Sequence, residues 1–186
     1  MSLIIPTTIH HSYIFTPPPL HKSRDALLAH LCNEAQTSHK TTAIFAYNGA
    51  ERDRLILLLS ALNITGTIVP TDGIVALEPL TKVDRVIIQS TNWRTSNIDV
   101  YTQRVGNVGR GSVGEAVSFA TPHDVLNFWL LQETTKRRYG VPEIVARDGV
   151  DKDVLGEWEG RVEEVKGESP ELTDMQYMSF GLRLRR

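Results

Sequence analysis

A single cysteine, Cys32, stands in a chain of 186 residues. It excludes an internal disulfide and, with no C-x-x-C partner, a thiolate zinc site, which suits a reducing compartment. Long apolar runs are missing too, and no window approaches the length of a membrane span. The opening "MSLIIPTTIHHSYIF" has neither the basic start nor the continuous apolar stretch of a signal peptide. These absences predict a soluble, intracellular protein with no membrane partner. Neither sign of charge dominates: 20 Lys and Arg stand against 22 Asp and Glu, a formal net charge of −2. Binding to phosphates must therefore be local, because no global field draws the chain to nucleic acid or anionic lipid. The six histidines show no H-x-x-x-H or H-E-x-x-H spacing, so no metal site is expected, and the adjacent His10 and His11 read as strand-face or solvated residues. No G-x-S-x-G marks a hydrolase elbow. No G-x-x-x-x-G-K-[ST] occurs, so a phosphate loop with its magnesium ligand is excluded.

What is present is ordinary globular material, 41% hydrophobic and 23% charged, enough for one domain with a core and a tail. Apolar periodicity switches repeatedly between strand and helix, the pattern of an α/β layered domain. "HSYIF" reads as a strand closed by Pro17 to Pro19, and "SRDALLAHLCNEA" as a helix with Ser23 at its N-cap and Leu27, Leu28, Leu31 and Cys32 on one face. "TTAIFAY" is nearly continuous β-former, as a strand covered on both sides should be. After Asn48 and Gly49, "AERDRLILLLSAL" places Leu55, Leu58, Leu59 and Leu62 on one helical face. "GTIVP", "DRVIIQ" and "GEAVSFA" are further strands, with helical "NIDVYTQRV" before the last. Asp124 should cap "VLNFWLLQETTKRR", a helix whose Trp129 reads as core. From about Asp148 the chain turns charge-rich and predicts an exposed helix or a partly disordered extension. Trp93 beside Arg94 is a weak stacking signal, and Arg183, Arg185 and Arg186 form a short cationic tip typical of a solvated terminus.

The stretch "YTQRVGNVGRGSVGEAVSF", residues 101–119, gathers glycines around Arg104 and Arg110. Gly109, Gly111 and Gly114 satisfy G-x-G-x-x-G, but a dinucleotide site needs a strand before that motif and a helix after it, and here the order is reversed. What remains is a pair of forked, permanently charged guanidinium groups at a helix end facing a glycine loop, which reads either as a turn with two solvated arginines, the usual case for an Arg-Gly loop, or as a pair suited to phosphoryl oxygens.

Gln103 to Arg110, continued by Gly114, Ala116, Ser118 and Phe119, resembles the sixth motif of the DEAD-box RNA helicases, H-R-I-G-R-T-G-R. "TAIFAYNGAERDRLILLLSAL" is similar to their fourth motif, and "VPTDGIVALEPLTKVDRVII" to their fifth. "PTTIHHSYIFTPP" is similar to the strand that opens the second lobe, and the likeness spans residues 6 to about 144, with the ribosome-biogenesis branch the nearest. The resemblance implies a RecA-like three-layer sandwich of the P-loop NTPase type with a mainly parallel sheet. It divides the chain into an opening strand and Pro-rich turn at 1–20, a helicase C-terminal domain at 21–145 and a charged extension at 146–186. Between Leu62 and Val69 it is shorter than that architecture by about one strand and one helix, so the sheet must lose an inner layer or re-pair.

Residue by residue, the resemblance implies catalytic roles for Arg110, at the arginine-finger position, and for Arg104, at the first arginine of the motif. It implies nucleotide contacts for Arg110, Glu78 and Asn107, and RNA contacts for Asn48, Thr71 and Asp72. Asn107 replaces a second phosphate-binding arginine, the fifth motif is one residue short, and Gln103 stands where a histidine is usual. ATP and magnesium are therefore expected only when a separate N-terminal lobe supplies the missing phosphate loop and D-E-A-D box. The partners implied are RNA, bound weakly by the chain alone, and that lobe in trans, with no DNA; a nuclear or nucleolar location follows if the ribosome-biogenesis likeness holds. Two function classes stand side by side: a helicase lobe that completes an ATP site, and a non-catalytic RNA- or protein-interaction module derived from one.

Overall fold

The computed structural model describes residues 9–15, 21–46, 49–65, 67–69, 83–89, 101, 104–106, 108, 113–120, 125–139, 144–147, 150–169 and 172. Six strands, β1 (Ile9–Phe15), β2 (Thr42–Phe45), β3 (Thr67–Val69), β4 (Arg85–Ile88), β5 (Gly114–Ala120) and β6 (Val145–Ala146), form one sheet in the order β3-β2-β4-β5-β1-β6. All the strand pairs are parallel. Among the described residues four helices with defined bounds accompany them: α1 (His21–Thr37), α2 (Gly49–Ala61), α3 (Val125–Tyr139) and α4 (Lys152–Glu168). This is the expected α/β RecA-like sandwich.

The period of two along each strand divides the core into two layers. Ile44, Ile87, Val117 and Phe119 point to one face, where they meet Leu28, Leu31, Leu55 and Leu58 from α1 and α2. Their neighbours Ala43, Phe45, Val86, Ile88, Ala116 and Ala120 point to the other, against Tyr101, Val105, Val108 and Leu131. Strands buried on both faces must be apolar at successive positions, which is why "TAIF" and "RVII" carry almost no polar residue. Burying each leucine of α2 contributes about 1.5–3 kcal/mol, whereas Ile56 and Leu57 on its far side stay 47% exposed.

Both α1 and α2 stop without a glycine. His39 and Asn63 take positive φ values of 55° and 56°. The next amide in each case reaches back five residues, Lys40 N–H to Ala35 O at 2.8 Å and Ile64 N–H to Leu59 O at 2.8 Å, so both ends are Schellman closures. Gln36 ties the two ends together, accepting from the Thr65 amide at 2.7 Å.

The structure departs from the sequence reading at several points. Ser23 is not the N-cap of α1: the helix begins at His21, and the Ser23 hydroxyl donates instead to Glu159 of α4. Trp129 is not core, being 55% exposed on α3 while Leu131, two residues on, is 3% exposed. The charge-rich segment forms α4, capped by Asp151 through Asp153 N–H at 2.8 Å, and it is docked on α1 with Trp158 and Val162 buried. Arg161 lies 4.1 Å over the Trp158 ring, and Lys166 pairs with Asp25 of α1 at 2.9 Å. The short stretch before β3 is absorbed at the margin of the sheet: β2 bonds β4 directly, and β3 lies outside β2 as an edge strand. Asp124 and Trp93 lie outside the described residues.

Candidate functional site

The chain leaves β2 for β3 on one side and leaves β4 for β5 on the other, although β2 and β4 are neighbours. Their carboxyl ends therefore bound a topological switch point, the place where open α/β sheets take ligands.

Arg104 sits there. Tyr101, Arg104 and Val105 are helical, and Gly106 follows in a turn. Tyr101, Val105 and Val108 are 2%, 0% and 0% exposed, and these apolar anchors fix the segment to the core. Val108 N–H bonds Val105 O at 3.0 Å, and the residue bridges Val83 in parallel fashion. The half-buried Arg104 guanidinium lies 4.9 Å from the ring centre of Phe45, the last residue of β2. Such a cation–π contact contributes about 0.5–2 kcal/mol. Among the described residues no carboxylate pairs with Arg104, and burial lowers its pKa to about 10. It stays charged at neutral pH. A forked cation, partly desolvated and without a counter-ion, is suited to binding a phosphoryl or carboxylate group from outside the chain.

Arg24 is a second arginine at this end of the sheet that sequence reasoning missed. From the first turn of α1 its guanidinium donates to the carbonyl of Gln89, just beyond β4, and lies 5.9 Å from the ring centre of Phe119. Its Nε and the Gln89 Nε2 are buried without partners. A cation in a first helical turn opposes the helix dipole, and that conflict was the signal available in "SRDALL". Of the residues singled out from the sequence, Arg104 alone is placed. Arg110, Asn107, Glu78, Asn48, Thr71 and Asp72 lie outside the described residues, as does Gln103.

On β1, His11 is buried and its Nδ1 is 2.6 Å from the Tyr101 hydroxyl. Burial, reinforced by repulsion from His10, lowers its pKa to about 4, so the ring is neutral near pH 7. Burial likewise raises the Cys32 thiol to about 12, which makes it an inert packing residue. Among the described residues no three His, Cys, Asp or Glu side chains converge to hold a metal, and no helix is long and apolar enough to cross a membrane.

No protein-family model matches the sequence, and neither does any curated protein. Solved structures do. One is Mss116p DEAD-box helicase domain 2 bound to an RNA duplex, with a TM-score of 0.61 and 18% identity, covering 87% of this chain and 71% of that one. Another is the DEAD-box protein SrmB of E. coli bound to regulator of ribonuclease activity A, with a TM-score of 0.52 and 21% identity, covering 78% of this chain and 93% of that one. At these identities the likeness establishes the fold, which this chain shares with DEAD-box helicase domains.

Proposed function

We propose that this chain works as the second RecA-like lobe of an ATP-dependent RNA helicase, inactive alone, binding RNA weakly and completing an ATP site against a separate first lobe. The observation that carries the reading is Arg104: a half-buried guanidinium with no carboxylate among the described residues, held over Phe45 at the switch point of the sheet. An arginine kept free at such a place serves a ligand anion better than it serves the fold. The neighbouring domain of Mss116p was bound to an RNA duplex, which supports RNA as the partner. Triphosphate and magnesium would come with the first lobe, since this sequence has no phosphate loop. Arg110 would then serve as the arginine finger, with Asn107 and Glu78 toward the nucleotide and Asn48, Thr71 and Asp72 toward the RNA backbone. A role in ribosome biogenesis, with a nuclear or nucleolar location, extends the reading on the strength of the sequence resemblance.

A second reading, a protein-interaction module, is favoured by one observation: the SrmB neighbour was bound to a regulatory protein.

The decisive experiment adds an isolated first lobe of a DEAD-box helicase to the full chain and follows RNA-stimulated ATP hydrolysis. The chain alone should show none. The mixture should turn over, and Arg104→Ala and Arg110→Ala should each abolish the gain. No turnover in the mixture, together with a flat RNA titration of the chain at low salt, defeats the helicase reading and leaves the interaction module.

A further inference from the structure

Helix α2 is apolar on more than its buried side. From Leu55 to Leu59 the apolar run is unbroken, and Leu55, Leu58 and Leu59 enter the core. Ile56 and Leu57 point the other way, each 47% exposed, with the exposed Ala50, Ser60 and Ala61 on the same side. Asp53, the exposed charge of that surface, is already paired with Arg52 at 2.6 Å. Single exposed hydrophobes are ordinary, but a helix apolar all round is one that is covered on both sides.

The described chain ends beside this surface. Leu172 is 2% exposed and packs in the same core cluster as Leu55 and Leu58, and its carbonyl accepts from Arg54 Nη1 at 3.4 Å. Arg54 precedes Leu57 by three residues, about 4.5 Å along the helix axis. Residues 173–186 follow and lie outside the described residues. Their sequence includes "MSFGLRLR", in which Met178, Phe180, Leu182 and Leu184 alternate with small or charged residues. A period of two gives an extended segment one apolar and one polar side. Eight extended residues span about 26 Å, so Phe180 can reach Leu57 with Leu172 held where it is. A tether that short presents the segment to α2 at an effective concentration on the order of millimolar, which a free partner would have to match.

We propose that residues 178–184 dock across the outer face of α2 in extended form, their apolar side on Ile56 and Leu57 and Arg183 turned to solvent. The docked segment replaces an apolar patch by a cationic surface. No residue of the Arg104 site takes part, so the proposal is independent of the helicase reading.

Disulfide closure in the full chain tests it, with Cys32 buried and its thiol unreactive. Ser60→Cys, on the exposed face of α2, is combined with either Leu182→Cys or Gly181→Cys. Both thiols hang on the same tether, but in the docked segment only position 182 faces the helix. The Leu182 variant should therefore close within one chain at least about tenfold faster than the Gly181 variant. Equal rates overturn the proposal, because an undocked tail presents both positions alike. Closure of the Leu182 variant only between chains also overturns it, and gives the face to a second copy. In a second measurement, Phe180→Asp should raise the binding of the apolar dye ANS to the folded chain, and adding Ile56→Ser and Leu57→Ser, both at exposed positions, should remove the rise. An unchanged dye signal in Phe180→Asp, or a rise that the two serines leave intact, overturns the proposal as well.

Discussion

Arg54 and Arg104 are the same residue in opposite surroundings. Arg54 on α2 is 7% exposed and fully paired: it holds Asp25 through two bonds of 2.7 and 2.9 Å and Glu51 through two of 2.8 and 2.7 Å. Burial by itself would lower its pKa, but the hydrogen bonds to Glu51 and Asp25 more than offset this and push it above the ordinary arginine range. The Asp25 carboxyl, which burial would raise, is held below its usual range by Arg54 and Lys166. Arg85 on β4, 2% exposed, is satisfied in the same manner by the Leu31 carbonyl at 2.7 Å and by Glu115 and Glu34. Among the described residues Arg104 has an aromatic ring and nothing else. The lesson is that burial alone does not mark an arginine as structural in this fold. Compensation does.

The comparison breaks most visibly at Arg54. Arg54→Met leaves Lys166 as the only cation on Asp25 and removes both guanidinium bonds from Glu51; it should cost about 3–5 kcal/mol in urea unfolding at pH 7. A loss below about 1 kcal/mol would show that the pairing is incidental.

His11 offers a third way to keep a basic group inside, namely uncharged. Its folded pKa of about 4 lies below the ordinary 6.5, so the unfolded chain binds the proton more readily. The contribution is complete above pH 6.5 and lost as pH falls toward 4, about 3 kcal/mol over that window. His30, lowered chiefly by burial, adds to the slope in the same direction. Asp25 acts only further down, below its ordinary 3.8. Urea unfolding at pH 7 and pH 4.5 should thus show a marked loss of stability, and His11→Gln should flatten it; an unchanged slope in that variant would assign the loss elsewhere.

The smallest stability effect belongs to Arg104. Arg104→Ala removes one cation–π contact and relieves a desolvated charge, so unfolding should move by less than about 1 kcal/mol. A cost of about 3 kcal/mol would place Arg104 with Arg54 among the structural arginines.

The layered fold was legible because its signals are local. The spacing of Leu55, Leu58, Leu59 and Leu62 marks α2, and all four are 5% exposed or less. Continuous β-formers mark β2 and β4. What escaped depends on tertiary placement. The apolar run containing Trp129 does not say which side of α3 will be covered, and Trp129 fell on the open side. The charge count of α4 hid Trp158 and Val162, two residues sufficient to dock it. Strand β6 is two exposed residues defined only by pairing with Ser12 and Tyr13. At the candidate site, the motif pointed to Arg104, but the missing counter-ion is a fact about space. Arg24 escaped because its partner, the Gln89 carbonyl, is 65 residues away.

Strand β1 lies between β5 and the two-residue edge strand β6, with Ile9 beside Gly114 and Ser12 beside Val145. During synthesis it must stay unmated until β5 has been made. Contacts so distant in sequence form slowly, because the intervening chain has to be ordered before they can close. The nascent chain thus carries an open β-segment, "IHHSYIF", until that point, and the segment is one that a chaperone would have reason to protect.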